Sequence, residues 1–261
     1  MFYRFETDAP MFGGPERADI AHCRLILSGT GHVRFGDGTA FELHKNCIIG
    51  PRNRASYISG EGPGSVIGFG MLPLGWAALT GVSVEPYVER IADARDLLGP
   101  IVDLCRGALA GVKTLKDAAT ALEPILAASF ENSRELPVAF KHAVDAWLAE
   151  TLSPKFDDLV SMTGLSRNKA ESHLRTLYGA SPQLFIRKSR ALRVANRIAH
   201  GEGDWQDYVG DAYYDQSHCI REIKYFTGLT PATLRAAPSF ATDVQYRRRR
   251  TSPLDAHDPV I

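Results

Sequence analysis

Two segments of the chain match each other when the sequence is shifted by 49 residues, and this repeat constrains the fold more than any other feature. Each copy has a short apolar stripe, a tight turn, a longer apolar stripe, a glycine and then Ser-Pro or Thr-Pro. The matched pairs are Phe156/Trp205, Val160/Val209, Ser166/Asp215, Ala170/Cys219, Leu174/Ile223, Leu177/Phe226, Gly179/Gly228, Ser181/Thr230 and Pro182/Pro231. A duplicated pattern of this kind encodes one supersecondary unit twice, so residues 153–238 are predicted to form an all-α domain with two similar units.

The spacing inside each copy predicts a helix-turn-helix. Three apolar residues at i, i+4 and i+7 form one face of a helix. The residue before that helix, Ser166 or Asp215, can accept hydrogen bonds from the free N–H groups of its first turn. Gly179 or Gly228 then ends the helix. A shorter apolar pair at i, i+4 and a tight connection precede it, which completes a helix-turn-helix.

A single connecting helix is predicted over Pro182–His200, between the two units. Ser181-Pro182 provides a cap followed by proline at the first helical position. Nineteen residues at about 1.5 Å per residue span roughly 28 Å, and B-DNA presents its major groove again every ~34 Å. The two units are therefore expected to enter successive major-groove segments on one face of a duplex.

The second helix of each unit carries polar side chains on the face opposite its apolar stripe, and such side chains bond base edges or phosphates. In the first unit they are Arg167, Asn168, Lys169, Glu171, Ser172 and Arg175, and in the second Gln216, Ser217, His218, Arg221 and Lys224.

The charge is divided unevenly along the chain. Residues 1–151 hold 14 Lys+Arg and 18 Asp+Glu (−4), residues 152–250 hold 16 and 10 (+6), and the last eleven residues add −2, for a net charge of zero. A basic C-terminal half indicates a polyanionic partner for that half alone. The run Tyr246–Arg250 lies in a basic tail, residues 239–261, which is expected to be flexible or to contact phosphates.

These segments resemble the AraC/XylS family of bacterial-type transcription regulators. Thr163–Ser166 and Tyr178–Gln183 are similar to that family's first unit and linker entry, and Tyr213–His218 and Thr227–Pro231, with Ile220–Glu222 between them, are similar to its second unit. The resemblance covers about residues 152–236. It implies sequence-specific binding of double-stranded promoter or operator DNA, regulation of transcription and contact with RNA polymerase.

The resemblance also implies roles for individual residues. Base contacts are expected from Asn168, Glu171, Ser172, Gln216, Ser217 and Arg221. Phosphate contacts are expected from Arg167, Lys169, Arg175, Arg187, Arg190, His218 and Lys224.

The chain departs from the family pattern at several positions. Ser172 stands where the family usually has Arg, Ala170 where Leu is usual, Cys219 where an aromatic is usual and Ala212 where Gly is usual; Asp207 and Tyr208 disturb the helix before the second turn. Losing such an Arg forfeits ~1–3 kcal/mol of base discrimination. The first unit is therefore expected to bind DNA weakly, or mainly through contacts to the DNA backbone.

The N-terminal half predicts an α+β chain overall: short strands that form a small β-barrel, and then helices. The predicted strands are Cys23–Leu27, His32–Phe35, Ala40–Leu43, Cys47–Ile49 and Val66–Phe69. The predicted helices are Val88–Leu98, Ile101–Leu109, Leu115–Phe130 and Pro137–Leu152, after which Ser153-Pro154 marks the domain boundary.

Many AraC relatives carry a cupin-like sensor domain in front, and the strand-then-helix order here is similar, with Gly68–Trp76 and Leu97–Gly99 resembling one such group. This implies a cupin-like domain over residues 1–112, connecting and dimerisation helices over 113–152, a small-molecule effector and a homodimer. His22, His32 and His44 form no His-x-His pair, so no metal or other cofactor is expected. Cys23, Cys47, Cys105 and Cys219 form no CxxC and are expected as small buried residues.

Two other classes of protein stay open. An enzyme with a cupin-type catalytic domain, or a DNA-repair protein, could carry the same DNA-binding module; no P-loop, Gly-x-Ser-x-Gly elbow, catalytic triad or zinc cluster supports either, and no catalytic residue is assigned. An interaction protein could keep both units without binding DNA. The sequence has no apolar run of membrane-spanning length and no signal peptide, which favours a cytoplasmic, non-enzymatic regulator that does not bind membranes.

Overall fold

A computed structural model describes residues 1–131, 136–202, 205–208, 210 and 212–236. Among these residues an antiparallel sheet comes first and helices follow, which confirms the predicted α+β class. The strands are β1 (Phe2–Thr7), β2 (Met11–Glu16), β3 (Ala21–Arg34), β4 (Ala40–Glu42), β5 (Asn46–Ile49), β6 (Ser56–Met71) and β7 (Ile91–Asp93).

Two long strands organise the sheet, whose order is β1-β6-β3-β5-β7, with β2 also paired to β6 and β4 to β3. The sequence predicts two strands where the structure has the single strand β3, because register shifts between Ile26 and Thr30 bend the strand without ending it. Among the described residues the paired strands run from β1 to β7, and the finer prediction of a cupin-like barrel stays a prediction.

Helices occupy most of the remaining described chain. They are α1 (Pro73–Thr80), α2 (Ala94–Leu98), α3 (Ile101–Ala108), α4 (Leu115–Glu131), α5 (Val138–Glu150), α6 (Phe156–Thr163), α7 (Arg167–Tyr178), α8 (Pro182–Ala199), α9 (Gln216–Thr227) and α10 (Pro231–Ala236), with 3-10 turns at Glu85–Tyr87 and Trp205–Tyr208. None of the helices in the described ranges has the length and apolar character needed to cross a bilayer.

The predicted helix Val88–Leu98 is wrong in its first half. Residues Ile91–Asp93 pair with Cys47–Ile49 as strand β7, and only Ala94–Leu98 is helical. Asp93 separates the two elements, because its carboxylate accepts a hydrogen bond from Arg95 N at 2.8 Å and so caps α2. A partner distant in sequence thus overrides the local helical pattern.

Two apolar cores divide the segment 113–152. Helix α4 packs through Ala118 and Leu122 into the core beneath the sheet, which also contains Cys23 and Cys105. Helix α5 packs into a second core with α6, α7 and α8. All four cysteines are buried, as predicted. Helix α5 therefore belongs structurally to the C-terminal part, residues 136–236, whereas residues 1–131 form what we call the N-terminal part.

Buried charges lie at one end of the sheet. The carboxylate of Glu16 accepts from Arg24 Nη2 at 2.6 Å and from Arg52 Nη1 at 2.8 Å. Burial alone would raise the pKa of Glu16, but the two guanidinium groups lower it to about 2. Burial lowers the pKa of His22 to about 4, although Asp19 lies 3.2 Å from its Nε2.

We expect the protein to lose stability as the pH falls from 6.5 towards 4. In this range unfolded His22 binds a proton that the folded protein excludes, so protonation favours unfolding, by on the order of 3 kcal/mol at pH 4. Below pH 4.5, Glu16 adds to the loss. Urea unfolding at pH 7, 5.5 and 4 measures the effect, and His22→Gln should flatten it, whereas His32→Gln, at an exposed histidine of the same strand, should not. An unchanged pH profile in His22→Gln would contradict this account.

Candidate nucleic-acid interface

The first repeated unit is formed by α6, a turn and α7. Gly164 makes the turn in the left-handed region, with φ of 65°. The predicted stripe Ala170, Leu174 and Leu177 is buried. Ser166 occupies the N-cap position in extended conformation, but its side chain does not make the expected capping hydrogen bond. The polar face of α7 is consequently turned outward.

The second unit repeats this arrangement with a shorter first element. A 3-10 turn, Trp205–Tyr208, replaces the predicted short helix, whose matched Val209 lies outside the described residues. Asp215 caps α9 by accepting from His218 N at 2.7 Å. The stripe Cys219, Ile223 and Phe226 is buried, as predicted.

Helix α8 joins the two units. It begins as predicted at Pro182, after Ser181 accepts a hydrogen bond from Leu184 N, and ends at Ala199. Its 18 residues span ~27 Å. The helix contributes buried residues to the cores of both units, including Phe185 in the first and Val194 in the second. The units are thus joined by a packed helix.

Seven of the predicted contact residues are exposed and have no side-chain partner among the described residues. They are Asn168, Lys169 and Ser172 on α7, and Gln216, Ser217, Arg221 and Lys224 on α9. Ser217, Arg221 and Lys224 follow one another at i, i+4 and i+7, so they form one stripe on α9. This stripe carries two free cations, whereas Lys169 is the one free cation among the predicted residues of α7.

The other predicted residues of α7 have intramolecular partners. Arg167 forms an ion pair with Asp157 of α6. Arg175 binds Glu171, one turn earlier, at 2.9 Å and approaches Glu85 of the N-terminal part at 3.5 Å. A DNA phosphate would have to displace these carboxylates to reach either arginine.

A buried carboxylate that the repeat pattern does not predict holds α9 against α8. Glu222, only 7% exposed, accepts from Arg187 at 3.1 and 2.7 Å, and Arg190 lies 3.7 Å away. Arg190 also lies over the ring of Tyr213, 4.9 Å from its centroid, and the ring of His218 packs edge-on against the same tyrosine. The sequence signal for this contact was Glu222 beside the buried stripe of α9, together with Arg187 and Arg190 at i and i+3 on α8.

Glu222→Ala should lower the free energy of unfolding by about 3 kcal/mol, because it leaves Arg190 largely buried without its carboxylate. Glu171→Ala is the matched control. It removes a glutamate from an exposed i, i+4 pair with Arg175 and should cost only about 0.5 kcal/mol. Chemical unfolding of both variants measures the difference, and equal destabilisation would contradict the role given to Glu222.

The C-terminal ends of α7 and α9 both contact the N-terminal part. Val84 N donates to Thr176 O at 3.0 Å, and Ala55 N donates to Tyr225 O at 2.9 Å. The N-terminal halves, which carry the predicted base contacts, extend away from these attachments. The basic run Tyr246–Arg250 and the predicted tail lie outside the described residues.

A cavity is lined by residues of β1, β2, β3 and β6. About 720 Å³ of space is not filled by protein atoms, part of it open to solvent. Arg24 and Glu16 line it together with Tyr3, whose hydroxyl accepts from Arg24 Nε at 3.0 Å. The apolar lining is Phe5, Phe12, Ile26, Leu43, Ile58 and Val66. Within the described ranges no group of three or more His, Cys, Asp or Glu could hold a metal ion.

No family model and no curated protein matches the chain. Among solved structures, apo ToxT from Vibrio cholerae strain SCE256 has a TM-score of 0.48 at 10% identity, over 89% of this chain and 95% of that chain. A second ToxT structure from Vibrio cholerae has a TM-score of 0.49 at 7% identity, over 89% and 96%. The AraC-like transcriptional activator CuxR has a TM-score of 0.32 at 14% identity, over 74% and 75%. At this distance the likeness carries no functional assignment.

Proposed function

We propose that the chain is a sequence-specific DNA-binding transcription regulator of the AraC type and not an enzyme. One observation carries the proposal: two copies of one helical unit present exposed polar side chains without intramolecular partners at equivalent positions. Asn168 and Ser217 are 49 residues apart, as are Ser172 and Arg221. These positions are exposed and polar in both copies, which leaves their side chains available to a ligand.

Helix α9 supplies the stronger base recognition. Arg221 can bind the O6 and N7 atoms of guanine with its planar fork, and Gln216 can bind adenine in a comparable two-bond arrangement. Ser217 lies beside them on the first turn, and Lys224, three residues beyond Arg221, is placed for a phosphate oxygen. His218, half-buried against Tyr213, is a weaker phosphate candidate.

Helix α7 offers fewer specific base contacts than α9. Asn168 can bind adenine and Glu171 can accept from cytosine N4, but Ser172 provides a short hydroxyl where Arg221 stands in the second unit. Lys169 is free to bind phosphate. Arg167, Arg175, Arg187 and Arg190 are phosphate candidates that must first exchange a carboxylate for a phosphate. We therefore assign most sequence discrimination to the second unit.

The N-terminal part is proposed as the regulatory sensor. Its cavity suits a small, largely apolar molecule with one polar end, which Arg24 would bind in exchange for part of its contact with Glu16. A homodimer and contact with RNA polymerase in the cytoplasm complete the proposal, following the family resemblance.

The test is fluorescence anisotropy of the full chain on duplexes from the region upstream of its own gene. We expect binding that is at least about 10³-fold tighter than to shuffled duplexes. The logarithm of the binding constant should fall linearly with the logarithm of the salt concentration. The slope should be ~0.9 for each phosphate contact. No preference for any upstream duplex would contradict sequence-specific regulation. No binding even at low salt would favour the interaction-protein alternative.

A further inference from the structure

The two helices that carry the proposed DNA contacts are held at their C-terminal ends by the N-terminal part. The last carbonyl groups of an α-helix have no partner within the helix. At the end of α7, Thr176 O accepts from Val84 N at 3.0 Å and Gly179 O accepts from Asn53 Nδ2 at 2.7 Å. The N-terminal part thus satisfies carbonyl groups that a free helix would present to water.

The same arrangement recurs at α9. Tyr225 O accepts from Ala55 N at 2.9 Å, and Phe226 O accepts from Ala18 N at 2.6 Å. Ala18 and Phe226 are both fully buried and share a small core with Ala191 and Leu192 of α8. Backbone donors from two loops of the N-terminal part therefore fix the end of the second helix.

Close packing accompanies these hydrogen bonds. Gly179 and Gly228 end the two helices with positive φ, and a Cβ atom on either would lie within 2.7 Å of the N-terminal part, near Val88 and Pro15 respectively. Between them, Lys188 of α8 is buried, with its Nζ 3.4 Å from Asn53 Oδ1. The contact thus runs from one repeated unit, across the linker, to the other.

We propose that this contact sets the distance and angle between α7 and α9. We call it the gauge; it consists of Ala18, Asn53, Ala55 and Val84 bound to the C-terminal ends of the two helices. These residues of the N-terminal part are therefore positioning residues for DNA recognition. The inference rests on the proposed function. Among the described residues, helix α8 links the two units along the chain, whereas the gauge connects the C-terminal ends of both α7 and α9 to the N-terminal part. Asn53 positions α7, and Ala18 positions α9.

The test uses the full chain and a panel of duplexes in which the two recognised blocks stand at the preferred spacing, or one base pair closer or farther. One base pair moves a block by ~3.4 Å and turns it around the duplex axis. We expect the wild type to lose roughly 10-fold or more in affinity at either changed spacing. Asn53→Asp keeps the acceptor near Lys188 and replaces the donor to Gly179 O with an oxygen.

Asn53→Asp should lose roughly 3- to 10-fold in affinity at the preferred spacing, and its preference between spacings should fall below about threefold. Ala18→Leu places a larger side chain between the N-terminal part and α9. It should reduce the preference between spacings to the same extent. Asn46→Asp is the matched control. It lies in the N-terminal part away from the gauge, keeps its acceptor for Arg106, and should retain the wild-type preference.

Wild-type preference retained by both folded variants, or no spacing preference in the wild type, would overturn the gauge while leaving DNA recognition in place. Absence of any wild-type binding would instead overturn the proposed function. Should the variants fail to fold, amide exchange in the wild type decides: Ala18 and Ala55 N–H should exchange as slowly as the interior of α9. Exchange at the rate of exposed loops would overturn the proposal.

Discussion

Replacing Arg221 with alanine is expected to weaken binding to the preferred DNA sequence roughly 10- to 100-fold and to leave the fold intact. Arg221 is exposed on α9 without a partner among the described residues, so its loss removes no internal contact. Two bonds to guanine account for ~1–3 kcal/mol of discrimination. Anisotropy measures the affinity, and circular dichroism checks the fold.

Arg221→Lys separates base recognition from charge. Lysine keeps the charge but lacks the planar fork, so this variant should retain non-specific binding and lose most of its preference for the specific sequence. Arg95→Ala removes one exposed positive charge from the N-terminal part and should leave affinity almost unchanged. An Arg221→Ala variant that binds as the wild type does would show that α9 does not enter the groove as proposed.

Trp147→Ala is expected to lower the free energy of unfolding by about 3–5 kcal/mol, the range found for large aromatic residues in cores. Trp147 of α5 is fully buried, its ring stacks on Phe185 of α8, and its Nε1 donates to Lys155 O at 2.8 Å. The change would leave a cavity in the core that α5 shares with α6, α7 and α8, and would leave the Lys155 carbonyl without its donor. Urea or thermal unfolding measures the loss.

Val138→Ala, on the same helix, is the matched control. Val138 is 41% exposed, and substitutions at such surface positions usually remain within about 0.5 kcal/mol. A small effect of Trp147→Ala would mean that α5 is a separable connecting helix, as the resemblance implies, and not part of the first unit's core.

The C-terminal fold could be predicted because its signals are local. Pro182 after Ser181, the helix-ending Gly179 and Gly228, and stripes at i, i+4 and i+7 each specify their own element, and the repeat doubles every signal. The strands of the N-terminal part are determined by pairing partners that are distant in sequence. Strands β1 and β2, which the sequence pattern does not predict, both pair with β6, and aromatic and glycine residues obscure the alternation of polar and apolar residues in them.

The candidate interface also combines features that local sequence predicts with features that depend on tertiary packing. The exposed stripe of α9 follows from helix periodicity, since a residue opposite a buried stripe faces solvent. The contacts that hold α9 and α7 in place do not follow from helix periodicity. Glu222 lies 35 and 32 residues from its arginine partners, and Asn53 lies 126 residues from Gly179. Such pairings arise only from tertiary packing, which a single sequence does not encode in any spacing.

Selection of bound duplexes from a random library by the purified 261-residue chain tests the central claim most directly. Two units on one rigid body should enrich two short blocks whose centres lie about 10–10.5 base pairs apart, one turn of the duplex. The block bound by α9 should be the more strongly conserved and should contain a guanine whose enrichment is lost in Arg221→Ala. Enrichment of no sequence, or of two blocks at freely varying spacing, would contradict the account.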